Sequence, residues 1–178
     1  ATQIFATNTL GHVVLLEELI KAKKLNKVAL YAGSEAARGI SKMGMKGPGL
    51  TTSSVDEFVT IINGKFFAGK KFNLPQAYGQ AKYVGAMWMA SLARKNPNLR
   101  FIIMSPGSTR GTETASGFPA PVRFIYNHIL MPVILPLMGM SHSLDKGTKR
   151  IIDGINNDSL KSGVFYASKK KCANRSGS

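Results

Sequence analysis

The chain has 178 residues, 44% of them hydrophobic and 19% charged, a composition that predicts one folded domain with a buried core. Its single cysteine, Cys172, excludes an internal disulfide and favours a reducing, cytoplasmic location, and no His/Cys cluster has the spacing of a metal site. The net charge of +15 would suit nucleic acid or an anionic membrane surface. The basic residues are scattered in small groups without interleaved aromatic residues, however, so the pattern argues against nucleic acid as a partner.

In chain order, the apolar residues alternate between helical and strand patterns. Helices are predicted over residues 10–24, 55–63, 75–95 and 143–156, with a further apolar helical stretch over 122–140 that Pro132 and Pro136 interrupt. Strands are predicted over 27–32, 100–105 and 163–167, and a glycine-rich loop over 39–54. This order predicts an α/β domain with a parallel sheet over residues 1–168, followed by a basic, disordered tail over 169–178.

Tyr78 and Lys82 lie four residues apart in the predicted helix 75–95, so they share one face about one turn apart. A tyrosine hydroxyl is a poor proton-transfer group at neutral pH, and a neighbouring ammonium group favours its phenolate form. The same ammonium group can donate hydrogen bonds to the ribose hydroxyls of a dinucleotide. Seen alone, the pair would more often be an ordinary polar patch on a surface helix.

Four stretches resemble the motifs of the short-chain dehydrogenase/reductase family and occur in that family's order. They are NTLGH at 8–12, AGSEAARG at 32–39, YGQAK at 78–82 and SPGSTRGT at 105–112. Tyr-x-x-x-Lys alone is a weak signal, but four motifs at predicted strand or helix ends are specific. The resemblance extends to residue 167 and corresponds to the C-terminal two-thirds of the family's domain. It implies a doubly wound, Rossmann-like parallel sheet that is incomplete, because the family's N-terminal strands and glycine-rich turn have no counterpart here.

The resemblance implies a role for each of four polar residues. Tyr78 would be the acid/base, Lys82 would bind the ribose and tune the tyrosine, Ser34 would polarise the substrate carbonyl, and Asn8 would complete a proton relay through a water molecule. The implied reaction is hydride transfer between an alcohol or ketone of apolar character and NAD or NADP, with the cofactor supplying the hydride.

The loop after the second predicted strand implies further cofactor contacts at Pro106, Gly107 and Thr112, beside those of Tyr78 and Lys82. Thr112 lies one position later than the family's usual threonine. Because the glycine-rich turn that cradles the pyrophosphate has no counterpart in the sequence, the 178-residue polypeptide is expected to bind no dinucleotide measurably and to be inactive alone.

Several alternatives remain open at the level of the sequence. The family usually carries two serines where this chain has Gly33 and Ser34, so a shifted alignment would put Ser41 or Ser53 in the serine role. Asn8 could be only the N-cap of the helix 10–24. A non-catalytic basic interaction domain that keeps the family's sheet is the alternative function.

The resemblance also bears on assembly and substrate. Ser34 and Tyr78 are 44 positions apart, and inserts of this kind resemble the retinol-dehydrogenase-like and protochlorophyllide-reductase-like branches. The helices 10–24 and 75–95 correspond to those that often build a dimer interface in the family, which implies a homodimer. The stretch 122–140 is predicted to be a flap over an apolar substrate, with peripheral membrane contact as the alternative. His12 and His128 are predicted to be packed polar groups.

Overall fold

A computed structural model of the chain describes residues 1–41, 47–109, 120–137 and 141–168. Its centre is a parallel sheet with the strand order β1 (Val28–Ala32), β2 (Arg100–Met104) and β5 (Phe165–Tyr166). The predicted α/β class with a parallel sheet is confirmed. The predicted division between residues 1–168 and a tail over 169–178 stays a prediction, since the tail lies outside the described residues.

β2 is the central strand because its sequence is apolar after Arg100. Phe101, Ile102 and Ile103 are each at most 1% exposed. Two helices cover the sheet from opposite faces, α4 (Leu74–Lys95) and α7 (Leu144–Asn156). A strand that is covered on both faces must be apolar at successive positions, as this one is.

β1 lies at the edge of the sheet in the described part of the chain. The Lys27 carbonyl accepts a hydrogen bond from the Arg100 N–H at 2.9 Å, and the Gly33 N–H donates to the Met104 carbonyl at 2.9 Å. Since alternate residues of a parallel strand pair with the same neighbour, the odd-numbered residues of β1 pair with β2. The even-numbered residues present their backbone groups at the outer edge of the sheet.

The N-terminal helix begins earlier than the predicted residue 10. It runs as α1 (Gln3–Phe5), a π-helical turn (Ala6–Leu10) and α2 (Gly11–Lys21) without a break. The Thr2 hydroxyl caps it by accepting a hydrogen bond from the Phe5 N–H at 3.3 Å. The prediction of a start at residue 10 was wrong, because the cap and first turn lie seven residues upstream of the strongly periodic segment.

Helix α3 (Val55–Asn63) and helix α4 have the predicted boundaries, because each is capped by a polar side chain. The Ser54 hydroxyl accepts from the Glu57 N–H at 3.2 Å, and the Asn73 side chain accepts from the Gln76 N–H at 3.0 Å. Helix α7 is also confirmed, and the Ser143 hydroxyl caps it by accepting a hydrogen bond from the Lys146 N–H. Short 3₁₀ turns lie at Glu35–Ala37 and Lys65–Phe67.

The apolar stretch after residue 119 is continuous, which corrects the prediction that its prolines interrupt it. It consists of α5 (Ala120–Ile125), a π-helical segment (Tyr126–Ile134) and α6 (Leu135–Leu137). Pro132 lies inside the π-helical segment and Pro136 inside α6, so neither proline ends the helix. No helix in the described part of the chain is long and apolar enough to cross a membrane.

Two further strand features differ from the sequence prediction. A short parallel pair, β3 (Ser108–Thr109) with β4 (Ser141–His142), was not predicted. The last strand of the main sheet was predicted over 163–167 but is shorter, because Gly163 has a φ of +76° and donates its N–H to the Phe101 carbonyl at 2.8 Å.

Candidate active site

Helix α4 places Tyr78 and Lys82 on one face beside the carboxyl end of β1, as predicted. The Lys82 side chain is buried, with only 8% of the residue exposed, and its Nζ donates a hydrogen bond to the Ala32 carbonyl at 3.0 Å. The same nitrogen lies 5.8 Å from the centroid of the Tyr78 ring, within the range of a cation–π interaction. Tyr78 itself is half-buried. The motif is therefore a buried ammonium group beside a tyrosine, which excludes the ordinary surface patch.

The environment of Lys82 disfavours its charge. Burial lowers the pKa of the Lys82 ammonium below the ordinary value for lysine. A lysine of lowered pKa at the carboxyl edge of a parallel sheet lies where ligands bind in open α/β folds.

Ser34 follows β1 directly and caps the 3₁₀ turn Glu35–Ala37. Its Oγ accepts a hydrogen bond from the Ala36 N–H at 3.2 Å, and among the described residues no acceptor takes its own hydroxyl proton. Helix α4 packs closely on this turn at Gly79, where a Cβ atom would lie 2.5 Å from the Ala36 carbonyl oxygen. The turn that carries Ser34 therefore contacts the turn of α4 that carries Tyr78.

The two rival serines lie in other surroundings. Ser53 belongs to the turn before α3, where its N–H donates to the Glu57 carboxylate at 2.7 Å. Ser41 follows Ile40 at the boundary of the described residues. Only Ser34 lies on the turn that packs against Gly79, so the assignment to Ser34 remains the better prediction.

Asn8 lies inside the N-terminal helix, in its π-helical turn, so the alternative that it is only an N-cap is wrong. Its side-chain amide donates to the Ile4 carbonyl at 3.0 Å. Its main-chain carbonyl accepts a hydrogen bond from the Tyr31 hydroxyl at 2.7 Å. Any proton relay that uses the Asn8 carbonyl must therefore share this oxygen with the Tyr31 hydroxyl.

Tyr31 is the residue that the sequence reasoning missed. It lies on β1, is 4% exposed, and its ring centroid is 5.1 Å from Lys82 Nζ. Burial raises the pKa of Tyr31 to about 12, the neighbouring Tyr78 adds to the rise, and the Thr9 side chain opposes it. The available signal was a single polar aromatic residue in an otherwise aliphatic strand, two positions before the glycine that ends it.

The cofactor loop predicted from the sequence is only partly described. Pro106 and Gly107 follow β2, and Gly107 adopts a φ of +80°, a conformation that favours glycine. Its N–H donates to Ser105 Oγ at 3.2 Å. Thr112 lies outside the described residues, so its predicted contact stays a prediction.

Arg150 of α7 supports the start of this loop and was not predicted. Its Nε donates to the Ser105 carbonyl at 2.9 Å, and its guanidinium also donates to the Ala167 carbonyl. One side chain thus joins the carboxyl ends of β2 and β5. Such a fork of donors is a property of arginine that lysine does not share.

His12 and His128 each pack against an aromatic ring. The His12 ring lies 5.6 Å from the Tyr31 ring, and the His128 ring lies 4.5 Å from the Phe124 ring. Among the described residues, no group of three or more His, Cys, Asp or Glu side chains could hold a metal ion.

Comparison with known proteins gives a similarity of fold. The chain is similar to the solved structure of salutaridine reductase from Papaver somniferum, with a TM-score of 0.58 and 17% sequence identity. The similarity covers 91% of this chain and 53% of that protein, so the chain spans about half the length of this structural neighbour. No protein-family profile and no curated protein sequence matches the chain. The incomplete Rossmann-like fold implied by the motifs is thus supported by a protein of known structure.

Proposed function

We propose that this chain carries the catalytic part of an NAD(P)-dependent oxidoreductase of the short-chain dehydrogenase/reductase type. The observation that carries the proposal is the Lys82 ammonium, buried beside Tyr78 and hydrogen-bonded at 3.0 Å to the carbonyl that ends β1. The fold shared with a protein that is a reductase by name supports the same reading. Tyr78 would exchange a proton with the substrate oxygen, and Ser34 would donate a hydrogen bond to that oxygen.

The donors of the site fit the ribose of a nicotinamide nucleotide. A lysine ammonium group has three N–H donors, and among the described residues Lys82 uses one of them on Ala32. The other two can serve ribose hydroxyls on the side of Tyr78, and the Pro106–Gly107 turn borders the same end of the sheet. The bound cofactor supplies or accepts the hydride. In this proposal the chain's own residues supply the ammonium group, the phenol and the serine hydroxyl.

An apolar alcohol or ketone is the proposed substrate class. The helical stretch after residue 119 exposes large apolar side chains, among them Phe124, Ile125 and Ile129, each at least 45% exposed. An apolar surface of this kind could cover a substrate as a flap. Peripheral contact with a membrane surface is the alternative role for the same side chains.

A homodimer is part of the same proposal. Helix α2 with the preceding π-helical turn exposes a row of apolar side chains at Leu10, Val14 and Leu15, with Val14 and Leu15 at least 55% exposed. Met87 of α4 is 44% exposed. Sedimentation equilibrium of the full-length protein is expected to show a dimer, and Leu15→Glu is expected to dissociate it. An unchanged dimer in this variant would show that α2 is not part of the interface.

The experiment that tests the activity compares two matched tyrosine variants of the full-length protein. Tyr78→Phe removes only the hydroxyl, so the fold should persist while single-turnover reduction of apolar ketones with NADH or NADPH falls by about 100-fold or more. Tyr83→Phe, on the same helix but stacked on Phe58 at 6.5 Å, should keep wild-type turnover.

A cofactor titration completes this test. Lys82→Ala should weaken both turnover and dinucleotide binding, because its ammonium group serves the phenol and the ribose together. Near wild-type turnover in Tyr78→Phe would refute the mechanism. A wild-type protein that binds neither dinucleotide and reduces no ketone would favour the basic interaction domain.

A further inference from the structure

Tyr31 lies on β1 and contacts both α4 and the N-terminal helix, and none of the four sequence motifs indicates these contacts. Its ring belongs to the buried cluster between β1, β2 and α4, together with Met89, Leu92 and Phe101. Its hydroxyl reaches the N-terminal helix and donates to the Asn8 carbonyl at 2.7 Å. The ring thus lies below the ammonium group of Lys82, at 5.1 Å from Nζ, and its position is fixed at the hydroxyl end by another element.

Helix α4 leaves space for this phenol at one position. A Cβ atom added at Gly85 would lie 2.3 Å from the Tyr31 hydroxyl oxygen and 2.6 Å from its Cζ atom. Gly85 follows Lys82 by three residues, so the helix has its smallest residue directly beside the lysine. A large residue on β1 and a glycine on α4 therefore fit each other at the base of the site.

The Lys82 ammonium has three neighbours that limit its movement. The Ala32 carbonyl accepts one hydrogen bond, the Tyr31 ring lies at 5.1 Å and the Tyr78 ring at 5.8 Å from Nζ. A cation between two aromatic faces loses freedom of movement and keeps its charge partly compensated. Tyr31 itself remains a protonated donor at neutral pH, because burial raises its pKa to about 12.

We propose that Tyr31 is a positioning residue: it holds the Lys82 ammonium beside Tyr78 and joins it to the Asn8 carbonyl through its own hydroxyl. This inference rests on the proposed function. The link from Asn8 to Tyr31 is a hydrogen bond, and the link from Tyr31 to Lys82 is a contact between the ammonium group and the ring. Tyr31 is buried beneath the site, so it acts through Lys82 and not by touching the substrate.

Two variants separate the ring from the hydroxyl. Tyr31→Phe keeps the ring beneath Lys82 and removes the hydrogen bond to Asn8, whereas Tyr31→Leu removes both. In alcohol oxidation, where Tyr78 must accept the substrate proton, a displaced ammonium group should move the rising limb of the pH–rate profile to higher pH. We expect a shift of about one pH unit in Tyr31→Leu and a smaller one in Tyr31→Phe, with an unchanged KM for the alcohol. Among the described residues, the titratable groups that face this position are Tyr78 and Lys82 of α4 and His12 of α2.

A second measurement needs no substrate and so distinguishes failure of this inference from failure of the proposed function. Reductive methylation followed by mass spectrometry measures the reactivity of each lysine in the folded protein. Lys82 should react several-fold faster in Tyr31→Leu than in the wild type, while the exposed Lys95 on the same helix reacts equally in both and serves as the internal control. A His12→Ala variant controls for loss of packing around the Tyr31 ring and should leave Lys82 reactivity unchanged.

Each outcome decides the inference. If both Tyr31 variants are folded and keep the wild-type pH limb and Lys82 reactivity, Tyr31 is only a packing residue and the inference is wrong. If turnover is absent in the wild type but Lys82 reactivity rises in Tyr31→Leu, the proposed reaction fails while the positioning role stands. Should Tyr31→Leu not fold, the comparison of Tyr31→Phe with the wild type decides by the same two measurements.

Discussion

Lys82 is buried, and burial of a charged side chain costs free energy. Charged residues in such positions are more often functional than structural. Its Nζ has one backbone acceptor and two aromatic faces, and no carboxylate forms an ion pair with it among the described residues. Burial lowers the pKa of the Lys82 ammonium. A residue of this kind lowers the free energy of unfolding at neutral pH, and it persists where its chemistry is needed.

Lys82→Met should therefore be at least as stable as the wild type at pH 7, with a gain of about 1 kcal/mol being the expected order. The sign follows from proton linkage. Between the lowered pKa of the folded state and the ordinary pKa of lysine, about 10.4, the unfolded state binds more protons, so the wild type gains stability as pH rises. The advantage of Lys82→Met should shrink between pH 7 and pH 10. Urea unfolding at both pH values measures this, and a variant that is less stable by more than 1 kcal/mol at pH 7 would contradict it.

At the residue scale, the sequence located the pair Tyr78 and Lys82 but not the residue that packs against it, Tyr31. Tyr78, Lys82 and Ser34 could be placed because each occupies a motif next to a predicted strand or helix end. Tyr31 could not, because its role depends on Gly85, 54 positions later in the chain. One sequence does not show which small residue faces which large one. The N-cap alternative for Asn8 failed for a related reason, since the true cap at Thr2 precedes any helical periodicity.

At the scale of elements, the packing of α4 on the 3₁₀ turn after β1 sets the distance between the serine and the tyrosine. This contact depends on Gly79, which adjoins Tyr78. The neighbouring atom is the Ala36 carbonyl oxygen, a backbone atom that cannot rotate away. Any side chain at this position must therefore displace the helix or the turn.

Gly79→Ala should lower the free energy of unfolding by about 2 kcal/mol and reduce turnover, because the added methyl group separates Ser34 from Tyr78. Gly11→Ala is the matched control. An added Cβ atom there would lie 3.7 Å from the Ala6 carbonyl oxygen, an ordinary contact, and alanine is favoured over glycine within a helix by up to about 1 kcal/mol. Urea unfolding of both variants should show opposite signs. Equal destabilisation would mean that the contact with Ala36 is not what constrains position 79.

Element boundaries were predictable where a polar cap adjoins an apolar run, as at Ser54, Asn73 and Ser143. The predicted boundaries were wrong where the helix contains a π-helical turn. The sequence predicted that Pro132 and Pro136 interrupt the stretch 122–140, whereas residues 120–137 form one continuous helical segment with Pro132 inside its π-helical part. Rules for proline derived from α-helices do not apply to this geometry.

At the scale of the molecule, the sheet has a free outer edge at β1 in the described part of the chain. Its even-numbered residues Val28 and Leu30 present backbone groups there. Such an edge pairs readily with another strand. The described residues also contain no glycine-rich turn opening a helix after a strand, the usual cradle of a pyrophosphate.

We expect a polypeptide of these 178 residues to bind neither NADH nor NADPH measurably and to self-associate. Fluorescence titration and light scattering test the two halves of this prediction. Val28→Pro removes an N–H from the outer edge and should reduce self-association, whereas Ala29→Pro removes a bond to β2 and should unfold the sheet. Micromolar cofactor affinity from a monomer would overturn the prediction.

The hydrogen bond from Lys82 to the Ala32 carbonyl has a consequence for strand pairing. Ala32 is the last even-numbered residue of β1, so its carbonyl would be the last acceptor offered to a strand added at the outer edge. The ammonium group already uses one lone pair of that oxygen, so an added strand would meet the Lys82 side chain at its last acceptor. We expect a strand added at this edge to pair firmly beside Val28 and Leu30 and more weakly beside Ala32.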